Sequence, residues 1–104
     1  MKFLGVTACP SGVAHTYMAA EALQKAAEKK GIEMKVETQG SIGAANVISE
    51  ADVQSADAVI LTTDMPILHE ERFKGKPIVR VSTTDCIKRA DAILVKIIDH
   101  LNKK

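Results

Sequence analysis

Tryptophan is absent from this chain of 104 residues, and its other aromatics are one Tyr and two Phe. Surfaces that stack bases need more than that, so the composition argues against nucleic-acid binding. The charge balance agrees: 14 Lys and Arg stand against 13 Asp and Glu, a formal net charge of +1, with no basic excess to hold a phosphate backbone. No apolar run approaches the ~20 residues that a membrane-spanning helix requires. Met1-Lys2-Phe3-Leu4-Gly5-Val6 is too short for a signal peptide. A soluble, cytoplasmic protein is expected, without direct membrane insertion.

Cysteine is also scarce. Cys9 and Cys86 lie far apart and form neither a C-x-x-C pair nor a zinc pattern, so no metal site and no cofactor are expected. The sequence leaves a disulfide between them open, although a cytoplasmic protein of this size does not need one. No repeat, linker or low-complexity stretch is visible. A single domain over residues 1–104 follows, and the lack of a linker-like tail at either end points to a standalone polypeptide.

What is present is an alternation of strand and helix patterns. The apolar segment from Lys2 to Ala8 predicts a first strand, and Ala19, Ala22, Leu23, Ala26 and Ala27 trace one face of a helix from about His15 to Lys30. Gly31 supplies its stop. Ile32, Met34 and Val36 alternate with Glu33, Lys35 and Glu37, the pattern of a half-exposed strand at an edge. Gln39-Gly40-Ser41-Ile42-Gly43 reads as a loop, and Ser49-Glu50-Ala51-Asp52 as the capped start of a short helix. Ala58-Val59-Ile60-Leu61-Thr62 suits an interior strand, and Pro77-Ile78-Val79-Arg80-Val81 a fourth. A last helix from near Thr84 buries Ala90, Ile93, Leu94, Ile97, Ile98 and Leu101.

These elements predict an α/β fold of the Rossmann-like kind: a single open, four-stranded parallel sheet in the order 2-1-3-4 with helices on both faces. The chain then leaves strand one toward one edge and returns on its other side. Ligands bind at such switch points, beyond the carboxyl ends of the strands. Cys9 falls there, and so do Thr62, Thr63 and Asp64.

Cys9 stands between the first strand and the first helix, in Thr7-Ala8-Cys9-Pro10-Ser11-Gly12-Val13-Ala14-His15-Thr16. Many cysteines at strand ends are only small buried hydrophobes. Here Pro10 fixes the chain after the thiol, and Gly12 lets backbone approach a ligand closely. A thiol before a helix N-terminus faces free N–H groups and the positive end of the helix dipole, which favours thiolate and also binds phosphate. The spacing is close to the phosphatase pattern C-x5-R-[ST], with His15 where the arginine would be. An imidazole cannot copy the bidentate grip of a guanidinium. No Asp is obviously placed to activate water, although Asp64 is a candidate to test. The chemistry therefore points to a phosphocysteine passed to another acceptor.

The segment Cys9-Pro10-Ser11-Gly12-Val13-Ala14-His15-Thr16-Tyr17-Met18-Ala19-Ala20-Glu21-Ala22-Leu23 resembles the active-site segment of the fructose-like enzyme IIB components of the bacterial phosphoenolpyruvate-dependent sugar phosphotransferase system. Its core is C-P-x-G-x-A-H-T. The resemblance extends through Gln39-Gly40, through Ala56-Asp57-Ala58-Val59-Ile60 with Asp64 following, and through Arg72-Phe73-Lys74-Gly75-Lys76-Pro77, weakening in the last helix. It implies a phosphotransferase in which Cys9 accepts a phosphoryl group from a phosphohistidine of the IIA component. Cys9 then passes that group to a sugar held by the membrane IIC component. It implies a phosphate cradle of Pro10, Ser11, Gly12, Val13, Ala14, His15 and Thr16. Thr62, Thr63 and Asp64, behind the loop, stand where much of the family has Ala-Ala-Asp.

His15 has two roles open to it, donation to phosphoryl oxygens or orientation of the loop. His69, in a polar stretch, and His100, near the end of the last helix, are not expected to act in catalysis. Cys86 is expected to pack as a small core residue. Glu70-Glu71-Arg72 reads as a solvated face. Met65 and Ile67 read either as a docking patch or as a cover for the sheet edge. Three other functions compete with this reading: a small phosphatase, disfavoured by the missing arginine; a non-catalytic phosphate-sensing domain; and a thiol redox protein, disfavoured by the missing C-x-x-C.

Overall fold

The computed structural model describes residues 1–8, 13–40 and 43–102. Five strands form one sheet: β1 (Lys2–Ala8), β2 (Glu33–Gly40), β3 (Gly43–Ala45), β4 (Ala58–Thr62) and β5 (Ile78–Val81). Four α-helices accompany them, α1 (Val13–Lys29), α2 (Glu50–Ser55), α3 (Thr83–Lys88) and α4 (Ala90–Asn102), with a 3₁₀ turn at Glu70–Phe73. The strand order is β3-β2-β1-β4-β5. β1 is flanked by parallel β2 and parallel β4, and β5 continues the parallel set.

The expected four-stranded parallel sheet in the order 2-1-3-4 is thus corrected. There are five strands, and β3 runs antiparallel to β2, making the sheet mixed. Gly43-Ala44-Ala45 is short, exposed and free of β-branched residues, so nothing in its composition announces a strand. The predicted 39–43 loop is part of this correction. Gln39 and Gly40 belong to β2, Gly43 begins β3, and Ser41 and Ile42 lie outside the described residues.

Alternation along the central strands sends side chains to two separate cores. On one face Phe3, Val36, Ala58 and Ile60 meet Ala19, Leu23 and Ala27 of α1, Cys86 of α3, and Leu94 and Ile97 of α4. The alanines of α1 bring that helix close to the sheet. Gly5 contributes to the close fit, because a Cβ there would lie 3.2 Å from Met34 Cε and 3.6 Å from Leu23 Cδ1. On the other face Leu4, Val6, Val59 and Leu61 are covered by Ile48, Val53, Ala56 and Phe73. Helices therefore lie on both faces, the long α1 and α4 with the short α3 on the first and, among the described residues, α2 and the 3₁₀ turn on the second.

Capping explains two of the helix boundaries. The α1 helix ends where Gly31 takes φ +68°, a left-handed conformation natural to glycine. A reciprocal capping box starts α2: Ser49 Oγ accepts from Asp52 N–H at 3.2 Å while Asp52 Oδ2 accepts from Ser49 N–H at 3.0 Å. The single last helix expected from Thr84 is corrected to two, α3 and α4, separated at Arg89 with φ −130°. No Pro or Gly marks that break.

The half-exposed reading of β2 is also corrected. Glu37 is 2% exposed, and β3 covers the strand from Thr38 to Gly40, so β2 is an edge only in its first half.

Candidate functional site

The expected nucleophile, Cys9, and its neighbours Pro10, Ser11 and Gly12 lie outside the described residues. Both ends of their link are described. It leaves the carboxyl end of the central strand at Ala8 and enters α1 at Val13, so residues 9–12 alone join the two elements. The helix begins two residues earlier than expected. Val13, Ala14, His15 and Thr16 therefore form its first turn rather than part of the loop, with Ala14 and His15 exposed and Thr16 buried.

Three threonines and an aspartate fasten the surroundings. Paired residues of β1 and β4 run from Phe3 and Ala58 to Val6 and Leu61. Beyond that point the Thr62 hydroxyl takes over from backbone pairing: Oγ1 accepts from Ala8 N–H at 3.0 Å and donates to the Ala8 carbonyl at 3.2 Å. Ala8 is fully buried, and its polar groups would otherwise carry a desolvation penalty. On the helix side, Thr7 Oγ1 donates to the Thr16 carbonyl at 3.1 Å, tying the first turn of α1 to β1. Thr63 N–H donates to Val81 O at 2.9 Å.

Asp64 Oδ1 accepts from both the backbone N–H and the hydroxyl of Thr83, each at 2.6 Å, and so joins the end of β4 to the start of α3. The Thr83 hydroxyl is the main reason that the Asp64 pKa lies below the ordinary carboxylate range. The Thr83 N–H and the charge of His15 add to that lowering, while burial opposes it. Thr62 thus meets Ala8 at the strand end of the link and Asp64 feels the charge of His15 in the first turn of α1, whereas Thr63 bonds to β5.

The remaining predictions sort themselves by burial. Cys86 is a free thiol with no exposed surface. Burial, then the charges of Asp64 and Asp85, push its pKa up to about 12, so it is no nucleophile at neutral pH. His69 is exposed, in a left-handed conformation at φ 61°. His100 is exposed near the end of α4. Met65 is exposed, whereas Ile67 packs against the second core. Among the described residues no cluster of three His, Cys, Asp or Glu side chains is placed to hold a metal ion. Nor is any helix there long and apolar enough to cross a membrane. A surface groove of about 640 Å³ lies between β5 and α4, and it shares no residue with the ends of the link.

Sequence reading missed one cluster. Arg72, expected on a solvated face, makes two 2.7 Å bonds to the buried Glu37 carboxylate. Gln39 donates to Glu37 Oε2 at 2.8 Å and to Leu68 O at 3.1 Å, and accepts from Leu68 N–H at 2.9 Å. Ile48 N–H donates to Glu37 Oε1 at 2.8 Å. Burial works against ionisation of Glu37, but Arg72, Gln39 and Ile48 outweigh it and leave the pKa lowered. The cluster joins β2, the segment before α2 and the 3₁₀ turn, behind the carboxyl end of the sheet.

The parallel strands β2-β1-β4-β5 of this mixed sheet, with a cysteine-bearing link at their switch point, suit a phosphoryl-carrier domain, and comparison with known proteins makes this specific. Residues 4–96 match the family model described as "PTS system, Lactose/Cellobiose specific IIB subunit". The chain is 66% identical over 100 residues to a protein of Escherichia coli (strain K12) named "PTS system fructose-like EIIB component 2", covering 96% of this chain and 94% of that protein. It is similar to the crystal structure of a domain from the fructose-specific IIABC component of Borrelia burgdorferi. That match has TM-score 0.88 and 44% identity, over 94% of this chain and 93% of the other. It is also similar to the solution structure of an enzyme IIB subunit of the PTS system from Escherichia coli K12, with TM-score 0.92 and 35% identity over 98% and 94% of the two chains. The chain belongs to the IIB components of the sugar phosphotransferase system, within their fructose-like group. It is a phosphotransferase that acts in sugar uptake.

Proposed function

We propose that Cys9 carries the phosphoryl group, taking it from a phosphohistidine on a IIA component and giving it to a sugar bound by a membrane IIC component. The observation that carries this reading is the link itself: a cysteine directly beyond the carboxyl end of the central parallel strand and four positions before a 17-residue helix. A helix N-terminus in general offers N–H donors and the positive end of the helix dipole to an anion placed before it. The nucleophile would be the Cys9 thiolate. Its sulfur attacks phosphorus, the S–P bond forms as the N–P bond breaks, and the histidine, protonated on its other ring nitrogen, departs as neutral imidazole. In the second step a sugar hydroxyl oxygen attacks the same phosphorus. The S–P bond then breaks, the electron pair returns to sulfur, and the hydroxyl proton passes to solvent.

The cradle would be formed by Pro10, Ser11 and Gly12 together with the first turn of α1, Val13 to Thr16. Ground-state neutralisation of the phosphoryl group by N–H donors, without a guanidinium, favours storage and transfer over hydrolysis. A cytoplasmic domain that docks on the membrane component fits this role. The relative from Borrelia burgdorferi, whose name joins A, B and C components, supports the partner assignment.

The test is incubation with phosphoenolpyruvate, the general phosphotransfer proteins and a IIA component. Cys9→Ser should abolish phosphoryl acceptance, because a hydroxyl offers no useful anion at neutral pH. Cys86→Ser should leave acceptance unchanged. Acceptance by folded Cys9→Ser would refute the assignment.

A further inference from the structure

We propose that the Thr62 hydroxyl is a positioning residue for phosphoryl transfer, fixing the peptide plane from which the Cys9 link departs. The inference rests on the reading of Cys9 as the nucleophile and adds a residue to that site. Regular pairing of β1 with β4 stops at Val6 and Leu61, so the buried N–H and carbonyl of Ala8 need another partner on that side. One oxygen atom satisfies both, accepting at 3.0 Å and donating at 3.2 Å. A hydroxyl can do this because it is donor and acceptor at a single atom. Thr62 is itself 2% exposed, so water does not compete for the bonds.

The Ala8 carbonyl belongs to the peptide unit that continues into Cys9. A peptide unit is planar, so holding that oxygen also orients the N–H and Cα of the next residue. At the other end of the link, Thr7 Oγ1 holds the Thr16 carbonyl. Each described end thus carries a threonine hydroxyl contact, Thr62 at Ala8 and Thr7 at Thr16, and Ala8 immediately precedes Cys9 in the sequence. Alanine at position 62 would fill the strand but would remove both bonds to Ala8. Valine would keep the shape of threonine and put a methyl where the hydroxyl stands.

The experiment compares Thr62→Val and Thr62→Ser with the parent chain. It reads two quantities: the rate of phosphoryl acceptance from phosphorylated IIA, and the pH midpoint of Cys9 alkylation followed by mass spectrometry. Cys86 does not interfere, being buried. Thr62→Val should slow acceptance about tenfold or more, since small misplacements at a reacting atom are costly. It should also raise the alkylation midpoint by about half a unit or more, toward the free-thiol value of about 8.5. Thr62→Ser, which keeps the hydroxyl, should rescue both. A folded Thr62→Val protein with parent rate and midpoint would overturn the proposal. If Thr62→Val does not fold, Thr62→Ser decides alone: parent-like values support the hydroxyl, and values shifted as predicted for valine refute it. Failure of the underlying reading is distinguishable, because it would appear as phosphoryl acceptance by Cys9→Ser.

Discussion

The two faces of the sheet are built on different physics. On the α1 and α4 face the contacts are apolar, with Phe3, Leu23, Ile60 and Leu94 fully buried. The opposite face is covered by α2, the 3₁₀ turn and loop residues Ile48 and Ile67. Its apolar cluster is smaller, and the Glu37 carboxylate with the Arg72 guanidinium closes the space beside it. The first face draws stability from area removed from water, which does not depend on pH. The second depends on charges that must stay ionised and paired. The carboxyl ends of the strands meet both, so the functional end of the molecule is supported by an apolar layer on one side and a polar clasp on the other.

The largest effect should come from opening the apolar face. Leu94→Ala removes a fully buried side chain between α4 and the sheet and should cost about 3 kcal/mol. Denaturant unfolding should show the same loss at pH 7 and at pH 5. A pH-dependent loss would contradict the division between the faces.

Glu37→Gln should cost about 2 kcal/mol at pH 7, below the ~3–5 kcal/mol typical of broken buried pairs because Arg72 reaches solvent. Its pH signature is the sharper test. The folded pKa of Glu37 lies below its unfolded value, so its stabilisation is complete above the unfolded pKa of about 4.3 and is lost as pH falls through the folded pKa. Asp64 behaves in the same direction, as does Asp52, which Lys35 Nζ holds at 2.8 Å. The parent chain should lose stability below about pH 4. The penalty for Glu37→Gln should shrink over the same range. A penalty constant from pH 7 to pH 3 would mean that the Glu37 charge contributes nothing.

The smallest effect should be at the start of α2, on the thinner face. Ser49→Ala removes one half of the capping box and should cost about 1 kcal/mol, seen as a modest shift in the unfolding midpoint. No change would mean that the Asp52 side chain caps the helix unaided.

Periodicity made much of the fold legible. The apolar run of β4 matches its observed span at both ends, and the alanine face of α1 and the stop at Gly31 are where the pattern puts them. Such signals are local. The pairing of Glu37 with Arg72 is not, since it joins residues 35 positions apart whose local patterns both resemble solvated faces. The three residues of β3 carry no strand propensity, and the break at Arg89 leaves the apolar stripe of α4 undisturbed. At the site, motif spacing directs attention to the Cys9 link, and strand topology anticipates that Thr62 stands at the end of β4 next to Ala8. The double use of the Thr62 hydroxyl was not legible, because it depends on where two strands part. The early start of α1 at Val13 was hidden for another reason: the alanine periodicity that marks the helix begins only at Ala19.

Where the phosphoryl group resides is the most direct test of Cys9 as its carrier. The protein should be incubated with phosphoenolpyruvate, the general phosphotransfer proteins and a IIA component, then digested and mapped by mass spectrometry under conditions that preserve labile phosphate. The modification should fall on Cys9 and be released by iodine, as expected for a phosphorus–sulfur bond. Phosphate on His15, or no stable phosphoprotein with release of free phosphate, would contradict it.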